Sequence, residues 1–435
     1  MKFKEIALLT LLPHFLFAEQ SVLSQFTTMR TIAGLSQQKE GNFWVPAYEG
    51  TNPRSVELSN PHDCGTDVYG RVYIVDKESH SVLRVSADGS ILTTVAGTHQ
   101  LGNGANSETT ATDVALDNPN GLHVLANGTF YILDTGNRKI RRVSKDGICT
   151  TVIDHPAGFG AGRGLWVSED ERTIYFCGAI NLTNQDVMRA TDDGIISTFA
   201  TIPSGTRGLG NLAVAPDGSL GITSVGDHRV YRVRWETDTP TIIAGDGTTI
   251  GAALDGTPAT SAPLNRVRGI AFLPDGSFFL ATQKGGDVWW VDLDGNIHRF
   301  ISGSDSGNDT GGDGLPRTSA GDKISEPRAI NLATNGDLLI TTNDRGIIRA
   351  VTTNCRPEAA QLVADKNETG QVQLAFKGAY QARYIFESSP DLTAEHWQEE
   401  AIFVTIAPTT QRFPVLQNGS QRYWRLRIPS QAGGQ

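Results

Sequence analysis

Short apolar runs and short polar turns alternate along most of the chain, and the alternation has a fixed grammar. A first apolar run is closed by a tight turn such as Asp217-Gly218, Asp275-Gly276 or Asn335-Gly336. A second run follows, then a polar turn, then a β-branched run such as "RVYRV" or "VWWV". Asp-Gly and Asn-Gly between apolar runs predict hairpins, because glycine supplies the positive φ that such turns need. A fourth run then appears, as in "ILTTVAG", "ICTTVI", "ISTFAT", "PTIIAG" and "IHRFIS". Each unit therefore predicts four short antiparallel strands.

The units repeat. "NPHDCGTDVYGRVYIVDKESHSVLRV" from Asn60 aligns without gaps on "NPNGLHVLANGTFYILDTGNRKIRRV" from Asn118. Looser copies begin at Gly162, Gly210, Arg268 and Arg328, which makes six. The sixth lacks a fourth run, but "TTMRTIAG" at residues 27–34 closely resembles "ILTTVAG". The spacing predicts an all-β chain in which six four-stranded blades form a β-propeller over residues 27–354. The N-terminal strand should close the ring by pairing around residues 347–351, which removes exposed sheet edges.

The repeats resemble NHL repeats, especially those of secreted bacterial proteins, whose linkers carry stretches like "AGDGTTIGAALDGTPATSAPLN". That resemblance implies a propeller and little about activity, since such propellers serve as enzymes, binding proteins and scaffolds. After Cys355 the pattern changes. "RYIFESSPDLTAEHWQEEAIFVTI" and "QRYWRLRI" alternate apolar and polar residues. Residues 358–428 resemble the C-terminal β-modules of exported bacterial proteins through Ser389, Asp391, Leu392, Trp397, Tyr423, Arg425 and Leu426. A small β-sandwich domain is expected there, with residues 429–435 a disordered tail.

The first 18 residues carry Lys2 and Lys4, then an apolar run ending at Ala18, the pattern of a secretory signal peptide. Secretion to the periplasm, cell surface or medium is expected, with no membrane span and a monomer as the working form. The net charge of -10 argues against a nucleic-acid partner. Export permits disulfides among Cys64, Cys149, Cys177 and Cys355, and the sequence leaves buried thiols and bridges equally open.

Long linkers at residues 35–59, 98–117, 246–264 and 303–326 all enter first strands, which marks that face of the ring as the elaborated one. Read across the six units, the residue at the head of the first strand is His62, Asn120, Arg163, Arg207 or Gly210, Arg268 and Arg328. Several arginines at one ring position of an acidic chain suit a carboxylate, sulfate or phosphate. Asp76 and Asp134 end nearby second strands and complete the candidate ligand-binding set. Three functions stay open: binding of an anionic glycan or peptide, a lyase or lactonase with His62 as acid or base, and a protein-binding scaffold. No cofactor is expected. "PNGL" at residues 119–122 resembles a cation-binding motif of gluconolactonase-like propellers, so Ca2+ is conceivable, but arginine cannot ligate and no complete metal set is legible. His123 should pack rather than react.

Overall fold

The computed structural model describes residues 22–427 apart from 36–40, 160–161, 179–183, 204–207, 235–238, 250–252, 305–311, 322, 344, 354–362, 367–371, 378–382, 391–392, 394–395, 405–409 and 415–422. The signal segment, Arg207, Cys355 and the tail at 429–435 lie outside the described residues.

Apart from one four-residue α-helix, Val22–Gln25, and short 3-10 turns, the described chain is strands and connections. Six antiparallel sheets of four or five strands follow one another. Sheet 1 runs Pro61–Thr66, Val72–Asp76, Ser81–Val85, Leu92–Ala96. Sheets 2 to 5 begin with Gly121–Val124, Leu165–Val167, Leu209–Val214 and Val267–Phe272. Sheet 6 takes Pro327–Leu332, Leu338–Thr342 and Ile347–Thr353, and its outer strand is the N-terminal Phe26–Ala33. Each first strand touches the first strand of the next sheet, and the sixth touches the first, so the sheets stand in a closed circle.

The closure has two supports. Met29 pairs with Val351 and Ala33 with Ile348 across the backbone ladder. Phe26 and Met29 are buried, and Phe26 meets Phe279 and Phe300 edge-on at 5.2 and 5.5 Å. Burial of two such side chains contributes roughly 1.5–3 kcal/mol each. Elsewhere the core lies between faces of adjacent sheets, as where Phe272, Leu280 and Trp289 of sheet 5 meet Ala215 and Val230 of sheet 4.

Outer strands end at glycines that only glycine can satisfy. A Cβ on Gly34, Gly97, Gly245 or Gly303 would lie 2.0, 2.3, 2.2 or 2.0 Å from a carbonyl oxygen of the turn between second and third strands. The linkers were expected to be loops at the face where first strands begin. Two of them do something else: Thr109–Thr110 and Thr257–Pro258 pair with Ile148–Asp154 and Asn296–Ile301. They add a fifth strand to sheets 2 and 5 and cover an edge that would otherwise be open.

Two three-stranded sheets follow. One holds Val363–Lys366, Val372–Lys377 and Thr410–Pro414; the other holds Gln398–Val404, Arg383–Ser389 and Tyr423–Arg427. Arg425 lies over the Trp397 ring at 4.1 Å and pairs with Glu387 at 2.6 Å. Ile385 packs on Val68 and Ala126, and the Tyr69 hydroxyl donates to Glu399 at 2.6 Å. Those partners sit on turns between first and second strands, at the end of the circle opposite the one where first strands begin. Cys64, Cys149 and Cys177 are buried free thiols.

Candidate functional site

The backbone at the head of the first strands explains how several sheets each turn one side chain out of the ladder. In sheets 1, 5 and 6 the pairing skips one residue, between Pro61 and Asp63, Val267 and Gly269, and Pro327 and Ala329. The skipped residues are His62, Arg268 and Arg328, each in a β-bulge, which re-aims a side chain away from the ladder. Two residues earlier the chain is left-handed, at Asn60, Asn118, Gly208, Arg266 and Glu326. Glycine and asparagine adopt that conformation readily; Arg266 and Glu326 do so at a cost of roughly 1–2 kcal/mol. The Nδ1 of His228 accepts from the Arg266 N–H at 3.0 Å, and His80 does the same for Asn118 at 3.2 Å. By the same register the fourth sheet contributes Gly210, and with it no side chain.

His62, Asn120 and Arg163 come together. All three are nearly buried. Arg163 Nε donates to Asn120 Oδ1 at 3.2 Å, and His62 Nδ1 is hydrogen-bonded to that same oxygen. Arginine can only donate, so the shared atom is the amide oxygen and His62 Nδ1 carries the proton. Burial first, then the charges of Arg163, Arg328 and, more weakly, Lys77, hold the His62 pKa well below its ordinary value against the hydrogen bond to Asn120. At neutral pH His62 is therefore the neutral Nδ1–H tautomer, and its Nε2 is an acceptor.

The arginines differ from one another. Arg268 donates from Nε to Gln283 Oε1 at 2.7 Å. Arg328 donates from Nη2 to Glu326 at 3.1 Å and to Asn343 at 2.5 Å. Both amides sit just past the second strand of the arginine's own sheet. Arg163 reaches sideways to Asn120, and its buried Nη1 has no hydrogen-bond partner among the described residues. Burial and then the charge of Arg328, three sheets away around the circle, pull the Arg163 pKa down to about 9. It stays protonated at neutral pH. Arg163, Arg328 and His62 thus feel one another.

Asp76 and Asp134 do not join the group. Asp76 accepts from the Ser59 N–H at 2.7 Å and Asp134 from the Asp117 N–H at 2.8 Å, so both hold linker backbone three residues ahead of the ring position. Asp134 also forms a fully buried ion pair with Arg141 at 3.1 Å. The Asp134 carboxylate is taken up by the frame, whereas Asp76 gives one oxygen to the frame and keeps a buried Oδ2 with no hydrogen-bond partner among the described residues. His123 is half-buried with its ring 6.0 Å from Trp166.

One acid near the site was absent from the sequence reading. Asp63 follows His62 and accepts from Asn331 Nδ2 at 2.9 Å, from the Cys64 N–H at 2.9 Å and from the Leu122 N–H at 3.4 Å. Burial raises its pKa to about 7 although these bonds and Arg163 oppose the rise. Reading the column next to the ring position would have found it. Among the described residues no group of three or more His, Cys, Asp or Glu is arranged to hold a metal.

No family model matches the chain, and no curated protein matches it. Solved structures do. A protein of unknown function from Bacteroides thetaiotaomicron aligns over 74% of this chain and 75% of its own at 17% identity, TM-score 0.56. An auxiliary nutrient binding protein from the same organism aligns over 75% and 76% at 15% identity, TM-score 0.55. A gluconolactonase from Xanthomonas campestris covers 77% of this chain and 92% of its own at 15% identity, with a TM-score of 0.49 too low to argue from. The first two neighbours are β-propellers, and the circle of sheets has the same form. The fold is a β-propeller. At these identities the likeness extends to the fold and leaves the activity open. In propeller terms the sheets are blades, and the His62–Asn120–Arg163 group sits where first strands enter, on the face away from the turns that Ile385 contacts.

Proposed function

We propose that the chain is an exported six-bladed propeller of NHL type, followed by a small β-sandwich, that binds an anionic ligand where the first strands begin. Acidic glycans and peptide carboxylates are the ligand classes that fit. One observation carries the reading: Arg163 is a buried, charged guanidinium with an unpartnered Nη1, repelled by Arg328 more strongly than Asp63 and Glu326 attract it and hydrogen-bonded to neither of those carboxylates among the described residues. Leaving a charge buried without a full set of partners costs several kcal/mol, and an anion offsets that cost with charge-assisted hydrogen bonds. A second reading, a lyase or lactonase with His62 as base, draws support from the orientation of its imidazole by Asn120.

Calorimetry of the protein with glucuronate, a sulfated disaccharide and a short peptide, with and without calcium, tests this. Binding by the parent that Arg163→Gln abolishes supports the reading. Absence of binding by every anion leaves a scaffold role. Binding only with calcium assigns the ligand to a cation instead.

A further inference from the structure

Arg163 can only donate hydrogen bonds, whereas His62, with its Nδ1 proton committed to Asn120, offers an acceptor at Nε2. Both side chains hold the same Asn120 oxygen, so His62 Nδ1 and Arg163 Nε lie within about two hydrogen-bond lengths of each other and the two side chains are neighbours. A ligand spanning them needs an anionic oxygen at one end and an X–H donor close by. Inorganic sulfate and simple carboxylates satisfy only half of that pair at neutral pH.

We propose that this site selects a hydroxy acid, with the carboxylate on Arg163 and a neighbouring hydroxyl donating to His62 Nε2. The inference rests on the anion-binding reading and narrows it. The charges facing His62 support it: Arg163, Arg328 and Lys77 all disfavour imidazolium, and none of them can supply a proton acceptor in its place. Asp63 and Glu326 face Arg163 from two different blades, yet both Asp63 oxygens already accept hydrogen bonds, from Asn331, Cys64 and Leu122, and Glu326 is held by Arg328. Asn120 is then a positioning residue. It fixes the tautomer of His62 and the aim of Arg163 through one atom.

The test uses the whole protein and two matched probes, glucuronate and tetrahydropyran-2-carboxylate, which share ring and carboxylate and differ in hydroxyls. At neutral pH glucuronate should bind ~10-fold more tightly, the value of one hydrogen bond to an otherwise unmatched acceptor. His62→Phe should narrow that ratio toward unity. In the parent, the His62 Nε2 nitrogen resonance should move on adding glucuronate and stay still with tetrahydropyran-2-carboxylate, which keeps the test decisive if the variant does not fold. Equal affinities of the parent for both probes, or an unmoved resonance, overturn the hydroxy-acid inference and leave anion binding standing. Failure of both probes to bind removes the anion reading as well.

Discussion

Two buried arginines, Arg141 and Arg163, show how the same side chain serves different ends in one fold. Arg141 has every direction satisfied. Its Nε meets Asp134 at 3.1 Å, Nη1 donates to the Ala105 carbonyl and Thr151, and Nη2 donates to the Gly104 carbonyl and Asn103. The linker "NGAN" wraps around it, and Asp134 in turn holds Asp117 at the entry to the blade. Arg163 is buried too, but it bonds an amide and feels another arginine, and the carboxylates that face it, Asp63 and Glu326, act on it only through space. Burial alone therefore does not mark function here. What separates these two arginines is satisfaction: Arg163 keeps a buried Nη1 without a partner among the described residues, and a protein gains nothing in stability from a charge it leaves so.

The comparison breaks most easily at Arg141. Arg141→Met strands the Asp134 carboxylate and the carbonyls of Gly104 and Ala105, so stability in urea titration should fall by about 3–5 kcal/mol. Adding Asp134→Asn should recover part of that loss, since it removes the uncompensated charge. Recovery of nothing would mean that Arg141 acts chiefly through the linker. Arg163→Gln should behave in the opposite sense. Unfolding should be unchanged or slightly delayed, while affinity for glucuronate falls by about 1–3 kcal/mol, the range for hydrogen bonds to charged groups. A large loss of stability in Arg163→Gln would place this arginine with Arg141 and remove it from the site.

The two arginines also divide what the sequence could disclose. Arg163 stood in a column that six aligned repeats made visible, and Asp-Gly or Asn-Gly turns fixed that column in four of the six, although the turn of Arg163's own repeat, "SEDER", carries no glycine. The closing strand was legible for the same reason, since "TTMRTIAG" repeats a motif found elsewhere in the chain. Arg141 lay inside "KIRRV", where three basic residues in one strand give no sign of which one turns inward. Nor could the column show that Arg268 and Arg328 find amides, Gln283 and Asn343, one residue beyond their own second strands. Those pairs depend on the bulge, which spacing alone does not reveal. The fifth strands at Thr109–Thr110 and Thr257–Pro258 were hidden because two residues cannot display a period.

Titration gives the finest measure of the contrast between frame and site, and its signs can be worked out group by group. Asp63 and Asp76 have folded pKa values raised from 3.8 to about 7, in both cases by burial foremost. The folded state thus holds protons that the unfolded state has lost between those limits, and stability declines as pH rises from about 4 to about 7. His62 works the other way. Its folded pKa is depressed, so below its unfolded value of 6.5 the unfolded state takes a proton that the folded state refuses, and stability declines as pH falls through that window. Between about 6.5 and 7.5 the histidine contributes little and the carboxylates dominate. Asp76→Asn keeps an acceptor oxygen for the Ser59 N–H and mimics the protonated acid. It should match the parent below about pH 4, draw ahead between about pH 4 and 7, and exceed it by roughly 1–2 kcal/mol at pH 8, after discounting for relaxation around a buried group. Glucuronate affinity at pH 8 should not change, because Asp76 holds the linker rather than the ligand. A variant that follows the parent's stability curve across this range would show that Asp76 ionises without cost where it lies, and an affinity that fell with it would return Asp76 to the binding set.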